Sequence, residues 1–409
     1  MEIVQEILMH PNGQYFLLVP VFSGLIGFAT NFIGIQMMFK PLEFFGLKPV
    51  FGWQGIIPAR AKKFAALQMD QVEKIIDVNE VLEKVNIDAI GDIMQPNLRQ
   101  LIELVMVDLG ARATEVYWEN TPSFIKKRLY GKVEKELPGI ISRLVEDIKG
   151  NHETLLDTKE MVVSKLDEDK GLLVRLVRKT IDKELGFLMK SGLFLGFAFG
   201  VIQMLVFFKY PDVWYVLPIG GFIVGYITNW IAVKLMFWPL YPIKIGPFRL
   251  QGVFIRRKDE VAKDYAETLT ESVLNAETIA NYILKSDPSS SLSKLLRFYI
   301  NEAIDRSLGG TKHLVLFSVG TESFIKFKSN FYENLRNESM PPPLQAGISF
   351  AEKEINLSEI IESRMKLFTP SELDGFVRPI FEEDEWLLYM VGGALGFLAG
   401  WGQLVLIFS

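Results

Sequence analysis

Four stretches of the chain are almost entirely apolar: Tyr15 to Phe39, Phe187 to Phe208, Val213 to Phe237 and Trp386 to Phe408. About 20 such residues cross the hydrocarbon of a bilayer as a helix, so each stretch predicts a transmembrane helix. Between the second and third lie only Lys209, Tyr210, Pro211 and Asp212, room for nothing but a tight turn. The long remaining segments, 41–186 and 241–385, are separated by two spans and therefore share one side of the membrane. Within them apolar residues recur at helical spacing over Phe64 to Leu82, Leu98 to Leu109 and Lys159 to Leu185, which predicts amphipathic helices. These would bury their faces in a bundle core or line an apolar groove for acyl chains. Phe44 to Pro58 and Tyr241 to Ile255 instead mix aromatic and aliphatic residues with Gly and Pro, the pattern of a short hairpin or folded loop at the membrane interface. Asp287 to Ser293 and Asn337 to Pro343 read as loops.

Charge gives these elements a direction. Lys40, Lys48, Arg60, Lys62 and Lys63 follow the first span, Arg178, Lys179, Lys183 and Lys190 flank the second, and Lys244, Arg249, Arg256, Arg257 and Lys258 follow the third; the opposite ends carry only Lys209. Lysine and arginine collect on the cytoplasmic side, so both large segments are expected in the cytoplasm, with both termini outside. The acidic run Phe381-Glu-Glu-Asp-Glu385 is the one flank that departs from this pattern. No Lys or Arg precedes the first span, and its apolar run exceeds a signal-peptide core, so it is expected to stay in the mature protein.

The two halves repeat each other. Gly27-Phe-Ala-Thr-Asn-Phe-Ile-Gly-Ile-Gln-Met-Met-Phe-Lys-Pro-Leu42 matches Gly225-Tyr-Ile-Thr-Asn-Trp-Ile-Ala-Val-Lys-Leu-Met-Phe-Trp-Pro-Leu240, Gln54-Gly55 matches Gln251-Gly252, and Arg60 matches Arg257. Leu195 to Gln203 and Leu395 to Gln403 share Leu-Gly-Phe, a second Gly and a final Gln. Shared Asn, Gln, Gly and Pro in register indicate duplication rather than chance likeness of apolar runs. Two spans per copy make the copies parallel, related by an axis along the membrane normal. At these residues, and at Gly52-Trp-Gln-Gly-Ile-Ile-Pro-Ala-Arg60, the chain resembles the bacterial membrane proteins grouped as domain of unknown function 445. The second copy, Leu250-Gln-Gly-Val-Phe-Ile-Arg256, lacks the Trp and the Pro of that motif. The resemblance implies the architecture and carries no activity.

The fold class expected is thus an all-α membrane protein of four transmembrane helices in two tandem pseudo-symmetric repeats. Each helix pair (15–39 with 187–208, 213–237 with 386–408) encloses a mainly helical cytoplasmic domain (41–186, 241–385) with a short juxtamembrane hairpin. Inside the spans, Ser23, Gly27, Asn31 and Gly34 share a helix face, as do Gly221, Gly225, Asn229 and Ala232; Gly192, Gly196, Gly200 and Gln203, and Gly392, Gly396, Gly400 and Gln403, form matching stripes. Small residues at this spacing let membrane helices touch through their backbones. Counting from the cytoplasmic ends places Asn31 level with Gly196, Asn229 with Gly396, Gln203 with Ser23 or Gly24, and Gln403 with Gly221, each amide reaching a carbonyl or hydroxyl. Polar groups in a membrane also suit a conduction path, so a small channel or transporter is the alternative function.

The rest of the composition mainly excludes. The 409 residues have 49% hydrophobic and 23% charged content, as expected for spans combined with aqueous domains, and a net charge of -5 that does not suit nucleic acid. There is no cysteine, and His10, His152 and His313 stand apart, so no metal or cofactor site is expected. No Walker loop, nucleophile elbow or His-Glu-x-x-His motif occurs, and an enzyme is not expected. The basic groups Arg60, Lys62, Lys63 and Arg256, Arg257, Lys258 fall where lipid phosphates are within reach. The function expected is scaffolding or lipid handling at the cytoplasmic membrane face. Its partners would be membrane lipids, anionic ones included, and a second copy or another envelope protein.

Overall fold

The computed structural model describes residues 13–47, 51–86, 89, 93, 123–155, 157–210, 213–337 and 342–407. The expected helix Leu98 to Leu109 and the turn residues Pro211 and Asp212 lie outside these. Contacts divide the chain into two compact units, residues 1–72, 163–268 and 361–409, and residues 73–162 and 269–360.

The first unit contains four helices long and apolar enough to cross a membrane: α1 (Gly13–Phe39), α2 (Lys170–Lys209), α3 (Val216–Phe237) and α4 (Glu385–Ile407). α1 packs along α2 and α3 along α4, with α2 against α3 and α1 against α4 closing the bundle. Its burial is the reverse of a water-soluble bundle. Leu25, Phe32, Phe194, Ile202, Ile223, Trp230, Leu398 and Trp401 are exposed, whereas Ser23, Asn31, Gln203, Thr228, Asn229 and Gln403 are buried. Such a surface is stable against lipid, and the interior groups are those that let helices approach and hydrogen-bond there. The protein is accordingly a multi-pass membrane protein.

α2 runs unbroken for 40 residues. At 1.5 Å per residue it measures about 60 Å, twice the hydrocarbon thickness. The span expected at 187–208 is therefore the second half of one rod. Its aqueous half buries Leu172, Leu173, Leu176, Val177, Ile181 and Leu185 along one stripe. The helix expected over Lys159 to Leu185 is divided at Asp169, whose carboxylate caps α2 by accepting from Leu172 N at 2.9 Å; Thr158–Glu168 forms a separate helix. Likewise Phe64 to Leu82 becomes Ala61–Ile75 and Val78–Glu83, parted where Asp77 accepts from Asn79 N.

Both juxtamembrane segments are hairpins. β1 (Phe45–Leu47) pairs antiparallel with β2 (Phe51–Trp53), and β3 (Ile243–Ile245) with β4 (Phe248–Leu250), the latter around Gly246 at φ +60. The Gln-Gly pairs close them onto the span ends. Gln54 donates to Leu42 O at 2.7 Å and Gln251 to Leu240 O at 2.9 Å, while Gly55 N and Gly252 N donate to Pro41 O and Pro239 O, each at 2.9 Å. A Cβ on either glycine would fall within 3 Å of the span's last backbone atoms, so the turn back under the helix requires glycine there.

The second unit is helical among its described residues. Ser123–Gly150 packs on Ser291–Leu308, with Thr321–Asn337 and Ala276–Lys285 alongside. Leu292, Leu296 and Tyr332 form a buried cluster with Leu144, Leu155, Ile283 and Ile300 against it. Asn275 and Ser290 cap two of these helices by accepting from Thr278 N and Ser293 N, and Tyr299 donates to Asp147 at 2.5 Å.

Candidate functional site

Two layers of the membrane unit bring together the polar residues singled out in the sequence. In the first, glycines set the spacing. A Cβ on Gly27 would lie 2.2 Å from Gly192 O, and one on Gly225 would lie 2.2 Å from Gly392 O. Gly196 faces Ser23 O, Gly396 faces Gly221 O, Gly200 faces Pro20 and Ser23, and Gly400 faces Leu217 O and Pro218. The backbones therefore touch, and an amide beside them reaches the opposite main chain. Asn31 Nδ2 donates to Leu188 O at 2.6 Å and Asn229 Nδ2 to Leu388 O at 2.9 Å.

These partners correct the depth expected for both asparagines by about two turns. Asn31 lies over Gly192 and Leu188 rather than Gly196, and Asn229 over Gly392 and Leu388 rather than Gly396. The expectation started the second span at Phe187 and set that residue level with the end of α1. α2 is already helical and packed well before it, which displaces the levels of both asparagines. Gln203 meets Ser23 as expected, accepting from its hydroxyl at 3.3 Å. It also donates to Leu217 O at 3.0 Å, tying the α1–α2 pair to α3, a link that hydropathy and spacing do not reveal. Gln403 shares with Ser23, Gln203 and Gly221 a cavity of about 10 Å3, and its Nε2 has no partner among the described residues.

The second layer lies at the aqueous ends of the spans. Arg60 Nη2 is 3.0 Å from Asp384 Oδ1, its Nη1 pairs with Glu383, and Lys63 is 2.5 Å from the same Glu383. Arg257 pairs with Glu184 and lies 2.9 Å from Glu260, which Lys183 reaches at 2.5 Å. Each arginine after an odd-numbered span thus grips the acid that precedes the even-numbered span of the other pair. Lys63 to Glu383 and Glu260 to Lys183 form the same contact with the charges exchanged. Lys258 donates to Phe368 O at 3.2 Å, and Lys62 and Arg256 are exposed.

Sequence reasoning missed the acids of this layer. The run at 381–385, anomalous for topology, supplies the partners of Arg60 and Lys63. Glu184 could have been found as a charge on the apolar stripe of α2. It is wholly buried, and burial raises its carboxyl above the ordinary value against the lowering effect of Arg257. Glu383, in contrast, is held below the ordinary value by its hydrogen bond from Lys63.

Residues 219–365 match a family model described as protein of unknown function (DUF445). A UPF0754 membrane protein of Rippkaea orientalis is 28% identical over 145 residues, covering 34% of this chain and 33% of that protein. One of Bacillus mycoides is 23% identical over 203 residues, covering 43% and 52%. One of Staphylococcus aureus strain JH9 is 38% identical over 72 residues, covering 17% and 19%. These matches span about half or less of the relatives' own length. No solved structure matches.

Proposed function

Since the chain belongs to the DUF445 family of bacterial membrane proteins, we propose that it is a non-enzymatic protein of the cytoplasmic membrane that holds helical domains against the inner leaflet. It does so through two tandem copies of one unit, a helix pair with its hairpin. The duplication is supported by the matched sequences and by contacts that recur in both halves: the glycine crossings, the Asn to Leu carbonyl bonds, the Gln staples and the crossed arginine pairs.

The observation that carries the reading is the character of the hairpins. Phe45 and Leu47 are 79% and 77% exposed although they follow a span by only a few residues, and Trp238, Tyr241 and Ile243 are exposed at the matching place. Apolar and aromatic groups at that level insert into the headgroup boundary. Lys244 and Arg249, opposite each other in the β3–β4 register and both exposed, stand on the other face of their hairpin. With Lys62 and Arg256, which are also exposed, they are assigned to anionic headgroups. Arg60, Lys63, Arg257 and Lys258 contribute mainly to holding the unit together.

The test is retention of anionic lipid by the full-length protein during detergent exchange. Replacing Lys62, Lys244, Arg249 and Arg256 by Gln is expected to weaken retention by up to about 1 kcal/mol per charge and to remove its salt dependence; unchanged retention contradicts the assignment. The channel reading draws on the unpartnered amide atoms of Asn31, Asn229 and Gln403. It requires solute flux in proteoliposomes that Ala at Asn31 and Asn229 abolishes at undiminished protein level. The scaffold reading expects no flux.

A further inference from the structure

The two hairpins hold matching places in the repeat but differ on the face turned away from their exposed apolar residues. In the second, Lys244 stands opposite Arg249 across the strands. In the first, the matching positions pair Gly46 with Gly52, and neither admits a long side chain. Gly46 stands at φ +131, a conformation that L side chains rarely adopt. A Cβ on Gly52 would lie 2.3 Å from Cζ of the Phe44 ring, which covers that face. The second hairpin thus carries a cation pair that the first excludes. Such a pair is unfavourable by itself. Residues directly opposite in an antiparallel ladder have Cα atoms about 4.5–5.5 Å apart, and like charges there destabilise the sheet. Both side chains are exposed, and neither has an acidic partner among the described residues.

We infer that Lys244 and Arg249 together clamp the phosphodiester of one anionic phospholipid whose headgroup carries no amine. A phosphate between them removes the repulsion and suits both groups, since a guanidinium presents paired N–H donors to two phosphate oxygens and an ammonium adds a point charge. A choline or ethanolamine headgroup brings its own cation to that phosphate and competes with the clamp. The hairpin also selects a lipid over a phosphate in solution. Ile243, on the opposite face, is 43% exposed a few residues beyond the end of α3; inserted at the headgroup boundary, it holds Lys244 and Arg249 at the level of the lipid phosphates. This site deepens the proposed contact with anionic headgroups and rests on it: the four exposed cations then act unequally, two of them on a single lipid.

The experiment is native mass spectrometry of the full-length protein in detergent with phosphatidylglycerol or phosphatidylcholine of the same acyl chains. One phosphatidylglycerol is expected to stay bound under activation that strips phosphatidylcholine. Lys244→Gln and Arg249→Gln should each lower its occupancy by about five-fold, and the double variant by less than the product of the two losses, because either change opens the clamp. Lys244→Arg should keep it, and Arg175→Gln, which removes a cation 66% exposed on the aqueous part of α2, should leave it unchanged. Losses that multiply would mean two independent cations and overturn the clamp, as would equal retention of the two lipids by the wild-type protein. If the clamp fails in either way while replacing all four cations still removes salt-dependent retention, the contact with headgroups stands without it; if that retention is absent as well, both fall. Displacement of the bound lipid by inorganic phosphate would make the ligand a free phosphate and overturn the assignment to lipid.

Discussion

Replacing Gly396 by Ala adds one methyl group at a point where there is no room for it. The new Cβ would lie 2.1 Å from Gly221 O, 2.9 Å from Gly221 C and 3.4 Å from Gly225 Cα. All three neighbours are main chain, so no rotamer can yield and α3 and α4 must part by about 1 Å. A gap of that size forfeits a quarter to a half of each contact worth about 0.1–0.2 kcal/mol, which over some tens of atom pairs comes to about 2 kcal/mol. The Asn229 to Leu388 bond loosens with it, adding about 0.6 kcal/mol. Gly402 on the same helix is the control: a Cβ there meets nothing within 4 Å, and the helix preference of Ala over Gly makes the change neutral or stabilising by up to about 1 kcal/mol. Unfolding of both variants in one detergent should therefore give effects of opposite sign, Gly396→Ala destabilised by about 2–3 kcal/mol. Gly396→Ala as stable as Gly402→Ala would refute backbone contact as the basis of the pairing.

Arg257→Ala leaves the wholly buried Glu184 without its partner and should cost about 3–5 kcal/mol, whereas Arg60→Ala, at a side chain 40% exposed whose partner Glu383 is half-exposed, should cost about 1 kcal/mol or less; equal losses in chemical denaturation would contradict the difference in burial. The folded state of the Arg257→Ala variant takes up a proton on Glu184 before the unfolded state does, so its deficit should shrink as pH falls through the raised value of that carboxyl and remain full above it. Lys63→Glu alone places like charges together at Glu383. Adding Glu383→Lys recreates the polarity of Glu260 with Lys183 and should restore most of the loss, at most about 1 kcal/mol and less in high salt; a double variant no better than the single one would show that these ends do not meet.

The spans were legible because a bilayer demands long apolar runs, and the hairpins because Gly, Pro and aromatic residues mark turns at an interface. The pairing of Ser23 with Gln203 was also legible, since a lone amide in an apolar helix needs a near partner. The depth of Asn31 and Asn229 was not. Hydropathy marks where a helix becomes apolar, and α2 begins 17 residues before the window at Phe187. The break at Asp169 was hidden for a similar reason: helical periodicity continues across it, and one capping aspartate looks like a solvated charge. The acids Glu184, Glu383 and Asp384 escaped because their roles depend on contacts between distant parts of the chain, which spacing within one helix cannot show. The Gln-Gly pairs were visible as repeats, but their task of stapling each hairpin to its span appeared only with the backbone in place.

The most direct test of the account is the location of the hairpins, and the absence of cysteine makes it clean. A single cysteine placed at Phe45, Leu47 or Ile243 in the full-length protein takes a nitroxide label with no background, and Ser289 in the loop of the second unit serves as the aqueous reference. In liposomes, the hairpin labels are expected to collide more with oxygen than with a water-soluble nickel chelate, at a depth of about 5–10 Å below the headgroups, and the label at Ser289 to show the reverse. Chelate access at Phe45, Leu47 and Ile243 equal to that at Ser289 would place the hairpins in water and contradict a protein that holds its domains against the inner leaflet.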